Sequence, residues 1–160
     1  MLYSKEQVMQ FLPHRDPFFF IDTVETVELD REVPENASVK DIVGTKVTCT
    51  WHVREDHPIF AGHFPGNPIL PGVVQVEMMA QATSFVLNKI NPDITKLNID
   101  VALLTVQNAK FRKPIVPGMD LVIKADFVKN RGPMMTNDCQ IYCNGELMSE
   151  ATVMASLKIN

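Results

Sequence analysis

The sequence predicts an α+β domain in which an antiparallel sheet wraps around one long, buried helix. Residues 73–90 have the length of a helix, contain no glycine or proline, and carry apolar side chains around most of the circumference. Four long segments after Asn98 show the pattern of strands. A helix that is apolar on nearly every side must be covered by a large surface, and these strands can supply it.

The first part of the chain predicts a short helix followed by two strands. Ser4 can cap a helix over residues 5–11, which stops before Pro13. Residues 18–29 indicate a strand, because an apolar run gives way to alternation. Residues 42–53 are rich in β-branched side chains and predict a second strand. The polar stretch between the two strands, residues 30–41, is predicted to be a loop.

Residues 57–72 are the least ordinary stretch of the chain. They contain four prolines and three glycines in sixteen residues, a composition that excludes a regular helix and a central strand. We therefore predict a loop of fixed shape. The helix that follows carries one narrow polar stripe, formed by Glu77, Gln81, Ser84 and Asn88 at helical spacing.

The remaining strands are predicted over residues 99–111, 119–129, 134–143 and 146–159. Proline and glycine signals separate them, and the Asn144-Gly145 pair is a strong two-residue hairpin signal. No repeat, low-complexity tract or interdomain linker is visible. We therefore expect residues 1–160 to form a single domain.

Composition excludes several classes of function. The chain is 46% hydrophobic and 21% charged, which is typical of globular proteins, and its net charge of −4 gives no overall attraction to nucleic acid. It contains no secretory signal and no apolar run long enough to span a membrane, so we expect a cytoplasmic protein. The three cysteines lack metal-ligand spacing, and no metal site is predicted.

His63 and Glu77 are the candidate catalytic side chains. His63 lies in the rigid loop, where a surface or hydrogen-bonded structural role is the alternative. Glu77 begins the polar stripe of a mostly buried helix, where desolvation disfavours the carboxylate and raises the pKa unless a partner compensates. The alternatives for Glu77 are a structural salt bridge and a water-bridged interface carboxylate.

The start of the helix supplies a third component. Pro71 and Gly72 open the helix, so the amides of Gly72 and Val73 lie among its unpaired donors and suit a developing oxyanion. A base, an acid and an oxyanion site within fifteen residues match the elimination of water next to a carbonyl. This chemistry needs no metal or organic cofactor.

Three segments resemble the 3-hydroxyacyl-acyl-carrier-protein dehydratases of FabZ type. They are LPHRDPFFFID (residues 12–22), GHFPGNPILPGVVQVEMMAQ (62–81) and KFRKPIVPG (110–118), and the resemblance runs in order over about residues 11–157. It implies the hot-dog fold, a curled antiparallel sheet around one long helix. It also implies an enzyme of fatty acid biosynthesis that converts a (3R)-hydroxyacyl chain on acyl carrier protein into the trans-2-enoyl chain.

The resemblance assigns roles to individual residues. His63 resembles the catalytic histidine of the family, Glu77 its catalytic glutamate, and Gly72 with Val73 the helix-end amides near the thioester carbonyl. It implies a homodimer whose active sites combine side chains of both subunits, and it suggests a trimer of such dimers. A related dehydratase–isomerase group has aspartate at the glutamate position, so Glu77 favours the simple dehydratase. His14 matches the first motif, but we assign it only a structural role.

The basic cluster Lys110, Arg112 and Lys113 has two interpretations. It is either a solvated strand end or a docking site for acyl carrier protein, which is acidic. Four features depart from the usual family pattern and leave acyl-length preference and tunnel gating open. They are Asp16 in place of an aromatic residue, Ala102 in place of a tyrosine, Val106-Gln107 in place of an Ile-Asp pair, and the longer loop over residues 30–41.

Two other functions remain open at this point. One is a hot-dog hydratase or thioesterase that acts on a coenzyme A thioester, since coenzyme A is also anionic. The other is a non-catalytic acyl-binding protein or scaffold. The presence of both His63 and Glu77 counts against the second, because a binding protein has no need for a buried acid.

Overall fold

The computed structural model describes all of residues 1–160 and confirms the predicted α+β class. Two α-helices, α1 (Lys5–Phe11) and α2 (Gly72–Thr83), accompany one six-stranded antiparallel sheet. The strands follow the order β1-β2-β4-β5-β6-β3 across the sheet. Their bounds are β1 Thr23–Glu28, β2 Lys46–His52, β3 Ile99–Phe111, β4 Asp120–Arg131, β5 Met134–Cys143 and β6 Glu146–Ile159.

The first two strands are shorter than predicted. Residues 18–22 lie outside β1, and within them the Phe20 amide donates to the Gln81 side chain of the helix while the Asp22 amide donates to Thr50 of β2. The second strand begins at Lys46 instead of residue 42. A 3-10 turn occupies Val39–Ile42, and Gly44 then takes a φ of 102°, a conformation that favours glycine.

The central helix divides into two parts where one helix was predicted. α2 ends at Thr83, and a 3-10 segment, Ser84–Lys89, follows it directly. The change begins where the Ser84 amide bonds to the Gln81 carbonyl, a contact one residue closer than in an α-helix. The Thr83 hydroxyl donates to the Ala80 carbonyl at the same point and competes with the α-helical pattern.

The sheet curls around the central helix, as the hot-dog arrangement implies. α2 packs against β4, β5 and β6, and Met78, Met79 and Phe85 are completely buried in the core. The three cysteines are unpaired and buried as well. None of the helices is long and apolar enough to cross a membrane.

Strand β3 lies at one edge of the sheet. It pairs with β6 alone, and nearly all of its thirteen residues are exposed or half-exposed. Leu103, Leu104 and Val106 are more than one-third exposed on this strand. The protomer therefore presents a long, apolar, unpaired strand edge.

Candidate active site

The loop over residues 57–71 holds His63 in a defined orientation. The Nδ1 atom of His63 lies 2.8 Å from the Ile69 carbonyl oxygen, and the Ile69 amide donates back to the His63 carbonyl at 3.0 Å. A carbonyl can only accept a hydrogen bond, so Nδ1 carries the proton. The Nε2 atom of neutral His63 is then left with a free lone pair and can act as a base.

The first turn of α2 provides unpaired amides beside His63. The Pro71 carbonyl accepts from the amides of Val74 and Gln75, both at 3.1 Å. Gly72 and Val73 precede them in the first turn, where amides have no acceptor within the helix. Partial positive charge therefore collects at this helix end.

Two cavities meet at this helix end. One, of about 340 Å³, lies between His63, Gly72 and the basic cluster. The other, of about 580 Å³, is mainly apolar and includes Val73 and Val106 in its wall. His63, Gly72 and Phe111 line both cavities. A cavity with basic side chains and an apolar cavity therefore meet beside His63.

Glu77 lies one and a half turns further along α2, where it accepts a hydrogen bond from Gln81 and contacts the imidazole of His14. Its Oε1 atom is 3.3 Å from His14 Nε2 and 3.0 Å from Gln81 Nε2. Burial acts to raise the pKa of Glu77, but the bonds from His14 and Gln81 outweigh burial and leave the pKa below its ordinary value. His14 and Gln81 thus compensate for burial, and Glu77 does not have in this protomer the raised pKa that would suit an acid.

His63 and Glu77 do not face the same cavity within one protomer. Glu77 lines a separate cavity of about 130 Å³ with His14, Gln81 and residues of β3. Leu103 of β3 lies in the wall of this cavity and of the apolar cavity beside His63. The exposed β3 edge therefore lies next to both halves of the candidate site.

Comparisons with known proteins identify the family of this chain. A FabA-like domain model matches residues 12–152. The chain is 35% identical to 3-hydroxyacyl-[acyl-carrier-protein] dehydratase FabZ of Wolbachia, with 99% of each chain covered. It is 36% identical to the FabZ dehydratase of Thiobacillus denitrificans, with 96% of each chain covered. The chain belongs to the FabZ-type dehydratase family.

Solved structures show the same fold at lower identity. The dehydratase heterocomplex ApeI:P from Xenorhabdus doucetiae aligns with a TM-score of 0.70 at 19% identity, over 94% of this chain and 90% of that one. A hot-dog-like protein from Thermanaerovibrio acidaminovorans aligns with a TM-score of 0.58 at 12% identity, over 74% of this chain and 84% of that one. Both matches support the hot-dog fold of this family member.

In this dehydratase the basic cluster lies beside the cavity of about 340 Å³. Arg112 and Lys113 line the cavity that contains His63. Arg112 Nε is 3.1 Å from a carboxylate oxygen of Glu150, and Lys113 is paired with Glu146. Two of the three predicted docking residues therefore lie at the site, and the carboxylates of Glu150 and Glu146 already neutralise part of their positive charge.

Sequence reasoning missed two residues of the site. His14 was given no chemistry, although it contacts Glu77 directly. Phe111 was passed over within the basic cluster, although its ring covers Gly72 and lines both cavities beside His63. Its alternation with Lys110 and Arg112 along a strand was a usable signal, because it places the ring on the opposite face. No group of three or more potential metal ligands is present.

Proposed function

We propose that this dehydratase removes water from 3-hydroxyacyl chains on acyl carrier protein by acid–base catalysis, with His63 as base and Glu77 as acid. One observation carries the proposal. The free Nε2 of His63 and the unpaired amides of Gly72 and Val73 border the same apolar cavity. Residues 1–160 act in this proposal as one domain, and a cytoplasmic location stays a prediction.

The reaction follows from these positions. Neutral His63 takes a proton from C2 and becomes the imidazolium, while the thioester oxygen gains negative charge beside the amides of Gly72 and Val73. The C3–O bond then breaks as the carboxylic acid of Glu77 gives its proton to the departing hydroxyl, which leaves as water. His63 then gives the C2 proton to solvent, which balances the proton that Glu77 takes up in the substrate complex, and the trans-2-enoyl thioester is released. No cofactor takes part in these steps.

The lowered pKa of Glu77 constrains the acid step. In the protomer the hydrogen bonds favour the carboxylate, which cannot donate a proton. A bound acyl chain would displace water from the carboxyl group, and this desolvation acts in the opposite direction and favours the acid. We therefore place proton uptake by Glu77 in the substrate complex.

The separate cavities support an active site shared between two copies of the chain. Within one protomer, His63 and Glu77 face different cavities that have Leu103 of β3 in common. A second copy that pairs along the exposed edge of β3 would cover both cavities. It would bring Glu77 of the partner subunit toward His63. The trimer of dimers that the resemblance implies stays a prediction.

The basic cluster supports a carrier-bound substrate. Arg112 and Lys113 line the cavity of about 340 Å³ that contains His63, and Lys110 lies close by on β3. Acyl carrier protein is acidic, so these cations suit its approach in the orientation that delivers the thioester to His63.

A dehydration assay tests the proposed reaction. Purified protein with a 3-hydroxyacyl-acyl-carrier-protein substrate is expected to form the 2-enoyl thioester, seen by absorbance and mass spectrometry, and to hydrate it in reverse. His63→Ala and Glu77→Ala should each lose nearly all turnover while they retain the wild-type circular dichroism. Release of free thiol in place of the enoyl product would favour a thioesterase, and tight acyl binding without turnover would favour a scaffold.

Mixing the two inactive variants tests the shared site. Random exchange of subunits makes half of the dimers mixed, and each mixed dimer holds one complete site. The mixture is then expected to regain about a quarter of wild-type activity. Each variant exchanged with itself is the control. No recovery after verified exchange would contradict a site formed from two subunits.

A further inference from the structure

Both polar side-chain contacts of Glu77, the hydrogen bond from Gln81 and the approach of His14, end on the same carboxylate oxygen. His14 Nε2 and Gln81 Nε2 lie 3.3 Å and 3.0 Å from Oε1. No side chain of the protomer bonds to Oε2. An oxygen that already accepts two donors is a poor site for a proton. The acid form of Glu77 therefore carries its proton on Oε2.

The fold holds His14 at this position through its neighbours. The Gln81 side chain donates to the Phe18 carbonyl and accepts from the Phe20 amide, which ties the segment after His14 to α2. Arg15 donates to the carbonyls of Leu12 and His14, at 2.9 Å and 2.6 Å. The segment over residues 12–20 is thus fastened to the helix on which Glu77 lies.

The imidazole of His14 presents one nitrogen to Glu77. Its Nδ1 atom is buried and has no hydrogen-bond partner in the protomer. A proton on Nδ1 would have no acceptor there, whereas a proton on Nε2 lies beside the carboxylate oxygen, 3.3 Å from the nitrogen. The geometry thus corresponds to the neutral tautomer that donates through Nε2.

The other groups around Glu77 do not compete for this role. The cavity beside it is lined by Ala80 and Gln81 of α2 and by Val101 and Leu103 of β3. His14 is the only titratable neighbour of Glu77 among these residues.

We propose that His14, together with Gln81, is a positioning residue that reserves Oε2 of Glu77 for proton transfer to the substrate. The inference rests on the proposed acid role of Glu77, and it adds the atom that acts and the residues that select it. The lowered pKa of Glu77, caused against the effect of burial by the His14 and Gln81 hydrogen bonds, agrees with this arrangement.

Three substitutions of His14 separate the effect of its Nε2 contact with Glu77 from the effect of its side-chain volume. The amide nitrogen of glutamine can take the place of Nε2, whereas that of asparagine lies nearer to Nδ1. His14→Ala and His14→Asn are expected to lower kcat by about tenfold to a hundredfold with little change in KM, because the acid is misplaced. His14→Gln is expected to restore kcat to within about threefold of the wild type, because it keeps the bond to Oε1. Equal losses in the glutamine and asparagine variants would overturn the proposal.

A second measurement does not depend on turnover. The side-chain ¹³C resonance of Glu77, assigned by its loss in Glu77→Gln, reports the titration of the carboxyl group. Its pKa is expected below the ordinary value in the wild type and in His14→Gln, and higher in His14→Ala. An unchanged titration in His14→Ala would overturn the proposal. A wild-type protein that shows the expected titration but no dehydration would refute the proposed function alone.

Discussion

Gly72, the first residue of α2, has no side chain. Its single hydrogen atom leaves room for an aromatic ring. A Cβ atom at Gly72 would lie 2.9 Å from Cζ of Phe111, closer than van der Waals contact allows. In the proposed site Gly72 would have two roles, since its amide would face the thioester and its missing side chain admits the ring. Phe111 is half exposed, so the ring can move if it is pushed.

Gly72→Ala tests this fit. The substitution keeps the amide but displaces the Phe111 ring, which changes the wall of both cavities. We expect kcat/KM to fall by about tenfold or more, equivalent to about 1.4 kcal/mol in the activation barrier. Gly62→Ala is the matched control, because Gly62 is next to His63 but a Cβ there meets nothing within 4 Å. The double variant with Phe111→Leu should recover activity, and wild-type activity in Gly72→Ala alone would refute the packing argument.

The hydrogen bonds of Glu77 also predict how stability depends on pH. A carboxyl group whose pKa is lower in the folded state stabilises the fold above its unfolded pKa, near 4.5, and loses this contribution as the pH falls through the lower folded value. The wild type should therefore have a higher free energy of unfolding than Glu77→Gln at pH 6, and this difference should shrink as the pH falls to 3. Urea unfolding of both proteins at each pH measures this difference in the free energy of unfolding. The exposed Glu35→Gln variant is the control, and a constant difference for Glu77→Gln would contradict the prediction.

At the scale of elements, the polar stripe of the central helix attaches the N-terminal segment. Gln81 bonds to the backbone at Phe18 and Phe20. Asn88, in the 3-10 continuation, donates to the hydroxyl of Tyr3. The stripe is therefore more than a set of residues at the active site, because it fixes the segment that carries His14.

Gln81→Met tests the attachment. The methionine keeps the volume but leaves the buried Phe20 amide without its acceptor, a loss of about 1–3 kcal/mol. We expect unfolding at a lower urea concentration and faster hydrogen exchange at Phe20. Gln10→Met on the exposed side of α1 is the control. Unchanged exchange at Phe20 would show that Gln81 does not hold the segment.

Sequence reasoning succeeded where local signals decide the structure. The predicted bounds of β3, β5 and β6 match the structure, because proline and glycine turns flank these strands. It failed for residues 18–22, whose apolar run resembles a strand but packs on the helix, where Gln81 replaces a strand partner. The end of α2 was missed for a similar reason, because hydroxyl side chains at Thr83 and Ser84 do not mark a helix end unless their bonds are known.

The same limit applies to the candidate site. His63, Gly72, Val73 and Glu77 lie within one segment, so their association could be inferred from spacing and resemblance. His14 lies 63 residues before Glu77, and only the folded chain brings the two together. Burial of Glu77 could be inferred from the helix pattern, but the donors that reverse its effect on the pKa could not.

At the scale of the whole molecule, the unpaired edge of β3 is the largest feature that the protomer leaves unsatisfied. Its thirteen residues pair on one side only, and exposed leucine and valine side chains lie along it. Such an edge invites association with another strand unless it is covered. The proposed dimer covers it and completes the site in one step.

Leu104→Lys tests whether this edge forms the dimer. Leu104 is 46% exposed and lines none of the cavities of the site, so a lysine there acts on association rather than on the acyl cavity. A charge buried at the centre of the interface without a partner is unfavourable. We expect light scattering to show a monomer that is folded but inactive. Val128→Lys, at a similarly exposed position on β4, should leave mass and turnover unchanged. A monomeric Leu104→Lys variant with full activity would mean that each protomer forms a complete site by itself.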